Sequence, residues 1–149
     1  MRPDEQKIKD FVHTACAKSY ASGTPPTVTG RPAAKEYTYT EGAYQYIDTY
    51  VGSGSFAGEE GVWINGMPCW VMNYIGRLLD EAYGYAFLME ALQHASAESP
   101  YRGPAIYQRG PDTYICTVQG SFAWFSGTEA IYSCGKKVCE GTFHGGSIT

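Results

Sequence analysis

The sequence predicts an α+β fold: internally duplicated halves, each a helix followed by an antiparallel meander, joined into one pseudo-twofold domain. Three observations predict it. Two stretches carry apolar residues at helical spacing, two others carry alternating runs broken by turn residues, and the second helix-and-strand set repeats residues of the first. The single domain covers 1–149, with repeat halves of about 3–80 and 81–149. At 149 residues, 44% hydrophobic and 15% aromatic, the chain is large enough to bury one core without metals or disulfides.

Between Asp4 and Tyr20, Ile8, Phe11, Val12, Ala15 and Cys16 recur at i, i+3, i+4, i+7 and i+8, one apolar face of a helix, and Pro3 and Asp4 suit its start. Gly23 to Glu36 is rich in Pro, Gly and Thr and reads as a loop or lid with no regular element in its middle. "YTYTEGAYQYIDTYV" and "EEGVWINGMPCWVMNY" then supply three or four antiparallel strands, with "GSGSFAG" as a turn and Asn65-Gly66 as a hairpin signal. From Tyr83 to Ala97, Phe87, Leu88, Ala91, Leu92 and Ala95 mark a second amphipathic helix. "ESPYRGPAIYQRGPD" breaks the chain, and "TYICTVQG", "SFAWFSGTEAIYSC" and "KKVCEGTFHGG" give the second set of strands.

The repeat rests on counting. Phe56, Gly58, Glu60, Val62, Trp63, Gly66, Tyr74 and Gly76 meet Phe125, Gly127, Glu129, Ile131, Tyr132, Gly135, Phe143 and Gly145 at a constant offset of 69, while Tyr46, Ile47 and Gly52 meet Tyr114, Ile115 and Gly120 at 68. Two copies are fewer than a solenoid needs, so each half is expected to complete the other's core, with a cleft along the pseudo-axis as the natural place for a site.

A net charge of −4, with Lys and Arg scattered, excludes a broad phosphate footprint, so no direct nucleic-acid contact is expected. No run of about 18 apolar residues marks a membrane span, and the N-terminal stretch lacks the pattern of a secretory signal, which points to the cytoplasm. Five cysteines, an odd count without paired spacing, read as partly buried thiols, although Cys134 and Cys139 flank a hairpin turn and could face each other. No metal site and no cofactor are expected, since nucleophile elbow, phosphate loop, HExxH and dinucleotide fingerprints are all missing.

The candidate site residues are Glu60, Trp70, Asn73, Tyr74, Arg102 and Glu129. Strand alternation turns Glu60 inward with Val62 and Ile64, and Glu129 inward with Ile131. A buried carboxylate must be paired, hydrogen-bonded or protonated, so two related ones define either an acidic site or a structural lock on an arginine such as Arg102. Tyr44, Tyr46, Asp48 and Tyr50 share one strand face near Trp63, Trp70, Tyr74 and Trp124, an aromatic wall suited to a flat or cationic organic ligand, or to a core. Arg102 sits in a Gly/Pro turn, while Arg77 and His144 have no partner assignable from sequence.

"YIDTYVGSGSFAGEEGVWINGMPCWVMNYIGR", "YRGPAIY", "FAWFSGTEAIY" and "FHGG" together resemble an uncharacterised bacterial family catalogued as a domain of unknown function. Members of that family look like standalone proteins or like domains behind a helix-turn-helix in transcriptional regulators. The resemblance implies no catalytic residues and weakly implies sensing. The leading expectation is a cytoplasmic module binding a small organic ligand, a cation among the candidates, in an acidic, aromatic cleft. The alternatives are a small hydrolase or transferase using paired glutamates, and a homo-oligomeric interaction module, as in a homodimer formed through an unpaired strand edge.

Overall fold

The structure, a computed structural model, describes residues 4–19, 25–28 and 30–149. Pro3, Tyr20 and Gly23, which figure in the expected ends of the first helix and the loop after it, lie outside the described residues. Helix α1 spans Glu5–Lys18. Asp4 caps it, its carboxylate accepting from the amides of Gln6 and Lys7. Fourteen residues make a marginal helix in isolation. What holds α1 is the burial of Ile8, Phe11, Val12, Ala15 and Cys16, the larger side chains contributing about 1.5–3 kcal/mol each.

Nine strands follow among the described residues: β1 (Thr27–Val28), β2 (Lys35–Glu41), β3 (Tyr44–Gly52), β4 (Ser55–Ile64), β5 (Met67–Leu78), then, after helix α2 (Ala86–Leu92), β6 (Ile106–Arg109), β7 (Asp112–Ser121), β8 (Trp124–Ser133) and β9 (Lys136–Ser147). They form one antiparallel sheet in the order β1-β2-β3-β4-β5-β9-β8-β7-β6. The fold is therefore mixed, two helices on a large antiparallel sheet. Its edges are short, two residues in β1 and four in β6, which limits the unpaired backbone offered to other chains.

Two elements differ from expectation. The helix expected over Tyr83–Ala97 is one of seven residues, because Tyr85 at its start supplies no side-chain cap and the chain turns after Gln93 into a bridge between Ser96 and Ser99. The loop expected through Glu36 contains β1, paired to Lys35 and Glu36, with the Thr27 hydroxyl donating to the Glu36 carbonyl at 3.1 Å. The Asn65-Gly66 hairpin has both residues at positive φ, 51° and 79°, and Cys134-Gly135 repeats that turn at 50° and 76°. Cys139 therefore lies opposite Ile131 and not opposite Cys134. None of the five cysteines forms a disulfide.

The centre of the sheet is the β5–β9 seam, where Tyr74 and Phe143, residues equated by the offset of 69, are cross-strand partners. Alternation sends Trp70, Met72, Tyr74 and Phe143 to the helix-covered face, while Asn73, Ile75, Thr142 and His144 take the opposite face. Trp70 stacks on Phe122 at 4.8 Å and donates its indole N–H to the Phe122 carbonyl at 3.1 Å. Tyr101 packs on Phe125 at 4.5 Å. These rings fill the helix-covered face of the seam with core, while on the opposite face a cleft of about 650 Å³ runs beside it, lined by Ile75, Thr117, Thr128, Lys137 and Thr142.

Candidate functional site

Two buried tyrosine–glutamate pairs organise the interior. In the first, the Tyr46 hydroxyl donates to Glu60 Oε2 at 2.7 Å. In the second, the Tyr114 hydroxyl donates to Glu129 Oε2 at 2.7 Å. Both glutamates are buried, as strand alternation requires, yet only Glu129 has a cation. Arg102 gives Nε and Nη2 to Glu129 Oε1 at 3.0 and 2.8 Å, and both groups are only 6% exposed. The Tyr-Arg-Gly-Pro turn makes this possible: Gly103 donates its amide to the Tyr114 hydroxyl at 2.9 Å, and a Cβ there would stand 2.5 Å from the Tyr114 ring. Gly141, the partner of Glu129 across β8 and β9, likewise leaves room for the carboxylate.

Glu60 has no such partner. Its Oε1 is buried and accepts no hydrogen bond among the described residues, and the Cys16 thiol stands 4.0 Å from Oε2. On the neighbouring strand, paired directly with it, is Asp48, 4% exposed. Burial pushes both carboxyls up, Asp48 to about 6 and Glu60 to about 8, with the nearby Asp48 charge raising Glu60 further. Arg102 pulls both down, but less.

Asp48 is also where the interior opens. A cleft of about 240 Å³ lies between β3 and α2. Tyr37, Tyr50, Phe56, Tyr74 and Tyr85 supply its rings, Leu88, Met89 and Leu92 of α2 its aliphatic wall, Asp48 and Arg102 its charged floor, and Lys35 its rim. Tyr74 donates to Asp48 Oδ1 at 2.5 Å, and the Arg102 guanidinium lies 5.0 Å from the centre of the Tyr74 ring. Among the described residues Asp48 Oδ2 accepts no hydrogen bond, Tyr74 bonding Oδ1 alone. Tyr37 and Tyr50 stack at 6.0 Å with planes 13° apart, and burial pushes the Tyr37 hydroxyl up to about 12.

Of the residues expected from sequence, Tyr74 and Arg102 line this cleft, while Glu60 and Glu129 lie in the same buried cluster. Trp70 does not belong to it: fully buried, it stacks with Phe122 and Phe125 in the core. Asn73 does not either, because its odd position in β5 turns it to the far face of the sheet, beside His144. Trp63, over Gly61, and Trp124, 82% exposed, are likewise outside the aromatic wall, which is built of tyrosines and one phenylalanine. Arg77 pairs with Glu140 at 2.7 Å on the surface.

The candidate list omitted Asp48, although the repeat carried a signal for it. The offset of 68 equates Asp48 with Cys116, and that of 69 equates Tyr74 with Phe143. The hydrogen-bonded pair of the first half is thus a thiol and a hydrocarbon ring in the second. A family model matches residues 48–148, described as Domain of unknown function (DUF5680). No curated protein and no solved structure matches the chain.

Proposed function

The chain belongs to the DUF5680 family, a domain of unknown function, and since that membership brings no activity with it, we propose a function from the site: a small-molecule-binding or sensing module. The observation that carries this reading is the aromatic cleft with Asp48 at its floor, a carboxylate 4% exposed whose Oδ2 accepts no hydrogen bond among the described residues. Concave, mostly apolar pockets with a few convergent polar groups are the usual form of ligand sites. At about 240 Å³ the cleft is smaller than the usual ligand pocket of roughly 300–1,000 Å³, which restricts it to a ligand of one or two rings. No helix among the described residues is long and apolar enough to cross a membrane. Undisulfided cysteines, with the Cys69, Cys116 and Cys139 thiols pushed by burial to about 11, fit a cytoplasmic protein.

The reading includes an internal duplication. It is supported by matching Tyr–Glu pairs, by bulges after Val62 and after Ile131, and by the meeting of Tyr74 with Phe143 at the seam. In this reading the first half carries the Asp48 cleft, and the second has Cys116 and Phe143 where the first has the Asp48–Tyr74 pair. The enzyme alternative draws no support from the glutamates, since Glu60 reaches no solvent and Glu129 is held by Arg102. A homo-oligomer has one observation in its favour, Ile75, Ile115 and Trp124 standing exposed at 58%, 40% and 82%, and light scattering tests it.

The binding reading is tested by a thermal-shift screen of one- and two-ring organic cations, anions and neutral compounds. Met89→Trp, which fills the cleft from its partly buried α2 wall, is the control. Compounds that raise the wild-type melting temperature and leave Met89→Trp unmoved are the expected result. A screen in which none does so, or in which both proteins respond alike, overturns it.

A further inference from the structure

Among the described residues, the buried charged groups are three carboxyls, Asp48, Glu60 and Glu129, and one guanidinium, Arg102. Arg102 bonds Glu129 directly and acts on Asp48 and Glu60 only at longer range, so two adjacent carboxyls on β3 and β4 share an apolar interior with no ion pair of their own among the described residues. Such a pair cannot hold two negative charges cheaply; it keeps a proton. One member, Asp48, presents an oxygen to the cleft, and the other, Glu60, is sealed behind it with Oε1 unpartnered.

We propose that the cleft takes an organic monocation against Asp48, and that the cation enters in exchange for a proton held by Glu60. This rests on the binding reading above and names its ligand class and regulation. The tyrosine faces that wall the cleft favour positive charge, and Lys35 at the rim is exposed and screened by water. The rings and the aliphatic wall from α2 give an organic cation apolar contact that a hydrated inorganic ion cannot use. In the exchange the O–H bond of the Glu60 carboxyl breaks, its electron pair stays on the carboxylate, and the proton passes to buffer. Asp48 keeps its bond from Tyr74.

The other groups facing the pair do not supply that proton. From β3 and β5 come the hydroxyls of Tyr46 and Tyr74, the latter held well above the usual tyrosine range by burial. From α1 comes the Cys16 thiol, and from β2 Tyr37 and Lys35; Tyr50 completes the wall. Across the seam stand Arg102, locked to Glu129, and the Tyr114 and Cys116 groups, both pushed up by burial. Tyr37, Tyr74, Tyr114 and Cys116 are all held above their ordinary values by burial, and the acids that face each other directly across β3 and β4 are the two carboxyls.

The test uses benzyltrimethylammonium, a permanent cation with no exchangeable proton, beside neopentylbenzene, its uncharged isostere, and benzoate. Calorimetric titration at one pH in phosphate and in Tris counts protons released, because the two buffers differ in ionisation enthalpy. Wild type is expected to bind the cation at least tenfold more tightly than either analogue, with release of part of one proton at pH 7 and with affinity rising by up to tenfold per pH unit. Glu60→Gln should keep binding and lose the release. If neopentylbenzene or benzoate binds as well as the cation, the ligand class is wrong. Cation binding without release, or with release unchanged in Glu60→Gln, overturns the exchange and leaves the binding reading standing. If Glu60→Gln fails to fold, the wild-type pH series above pH 7 decides, because Asp48, at about 6, is then already ionised; a flat affinity between pH 7 and 9 overturns the exchange. Failure of all three probes to bind overturns the proposal, whereas the wider screen judges the cleft itself.

Discussion

Tyr74 on β5 reaches over β4 to donate its hydroxyl to Asp48 on β3, and it passes above Gly58, where a Cβ would collide with that hydroxyl. The glycine is a space requirement as much as a backbone one, since Gly58 has no positive φ. Gly127 clears the path of Phe143 in the same way. The two glycines therefore fix how far each seam ring leans across the sheet.

Gly58→Ala should displace Tyr74 and leave Asp48 Oδ1 without its donor. A loss of about 1–3 kcal/mol is expected from an unsatisfied buried acceptor, and it should be read by chemical denaturation. Gly127→Ala should destabilise through steric overlap alone, because Phe143 donates nothing. A stability unchanged in Gly58→Ala would show that the Tyr74 path is not constrained.

Tyr74→Phe copies the second half into the first. Its cost, again about 1–3 kcal/mol, should be full where Asp48 is ionised and should shrink as pH falls and Asp48 takes up a proton. Denaturation curves at pH 7.5 and pH 4.5 separate this from loss of packing, which does not depend on pH.

Arg102→Met should be the most damaging single change in the cluster, costing about 3–5 kcal/mol, because it strands Glu129 as a buried charge without a cation. Adding Glu129→Gln should recover part of that loss. Equal stability of the single and double variants, measured in urea, would mean that the loss comes from the packing of the Arg102 side chain and not from stranding Glu129.

Glu60 gives a pH dependence opposite in sign to that of a salt-bridged carboxylate. Burial raises it from the ordinary 4.5 to about 8, so between those values the folded chain holds a proton that the unfolded chain has lost. Stability should fall as pH rises through that window and level off above it. Glu60→Gln should remove the slope that Glu60 contributes and melt higher than wild type at pH 8.5. A wild-type melting temperature that rises from pH 5 to pH 8, unaltered in the variant, contradicts the assignment.

Much of this molecule could be read from residue order. Ile8, Phe11, Val12, Ala15 and Cys16 are the buried face of α1, and Glu60 and Glu129 turn inward, because both statements depend only on local periodicity. Asn65-Gly66 forms its turn for an equally local reason. The location of the cleft depended on which side chains fill the seam. Trp70 reads as a ligand contact from its strand, yet Phe122, fifty-two positions away, stacks on it and accepts its N–H. Asn73 falls outside the site because alternation along β5 turns it to the face opposite Tyr74. The short α2 escaped because apolar spacing marks a face and says little about where capping fails.

The β5–β9 seam bears on how the chain is made. β5 is synthesised well before β9, yet β9 is the strand that covers its second edge. Until residues as far as Ser147 have left the ribosome, β2 to β5 can assemble but must leave the central strand unpaired on one side, with Trp70 lacking the Phe122 carbonyl and rings that enclose it. The nascent half is an exposed edge waiting for the last strand to be translated, so a stall within β7 or β8 leaves a species prone to aggregate and open to proteases and chaperones.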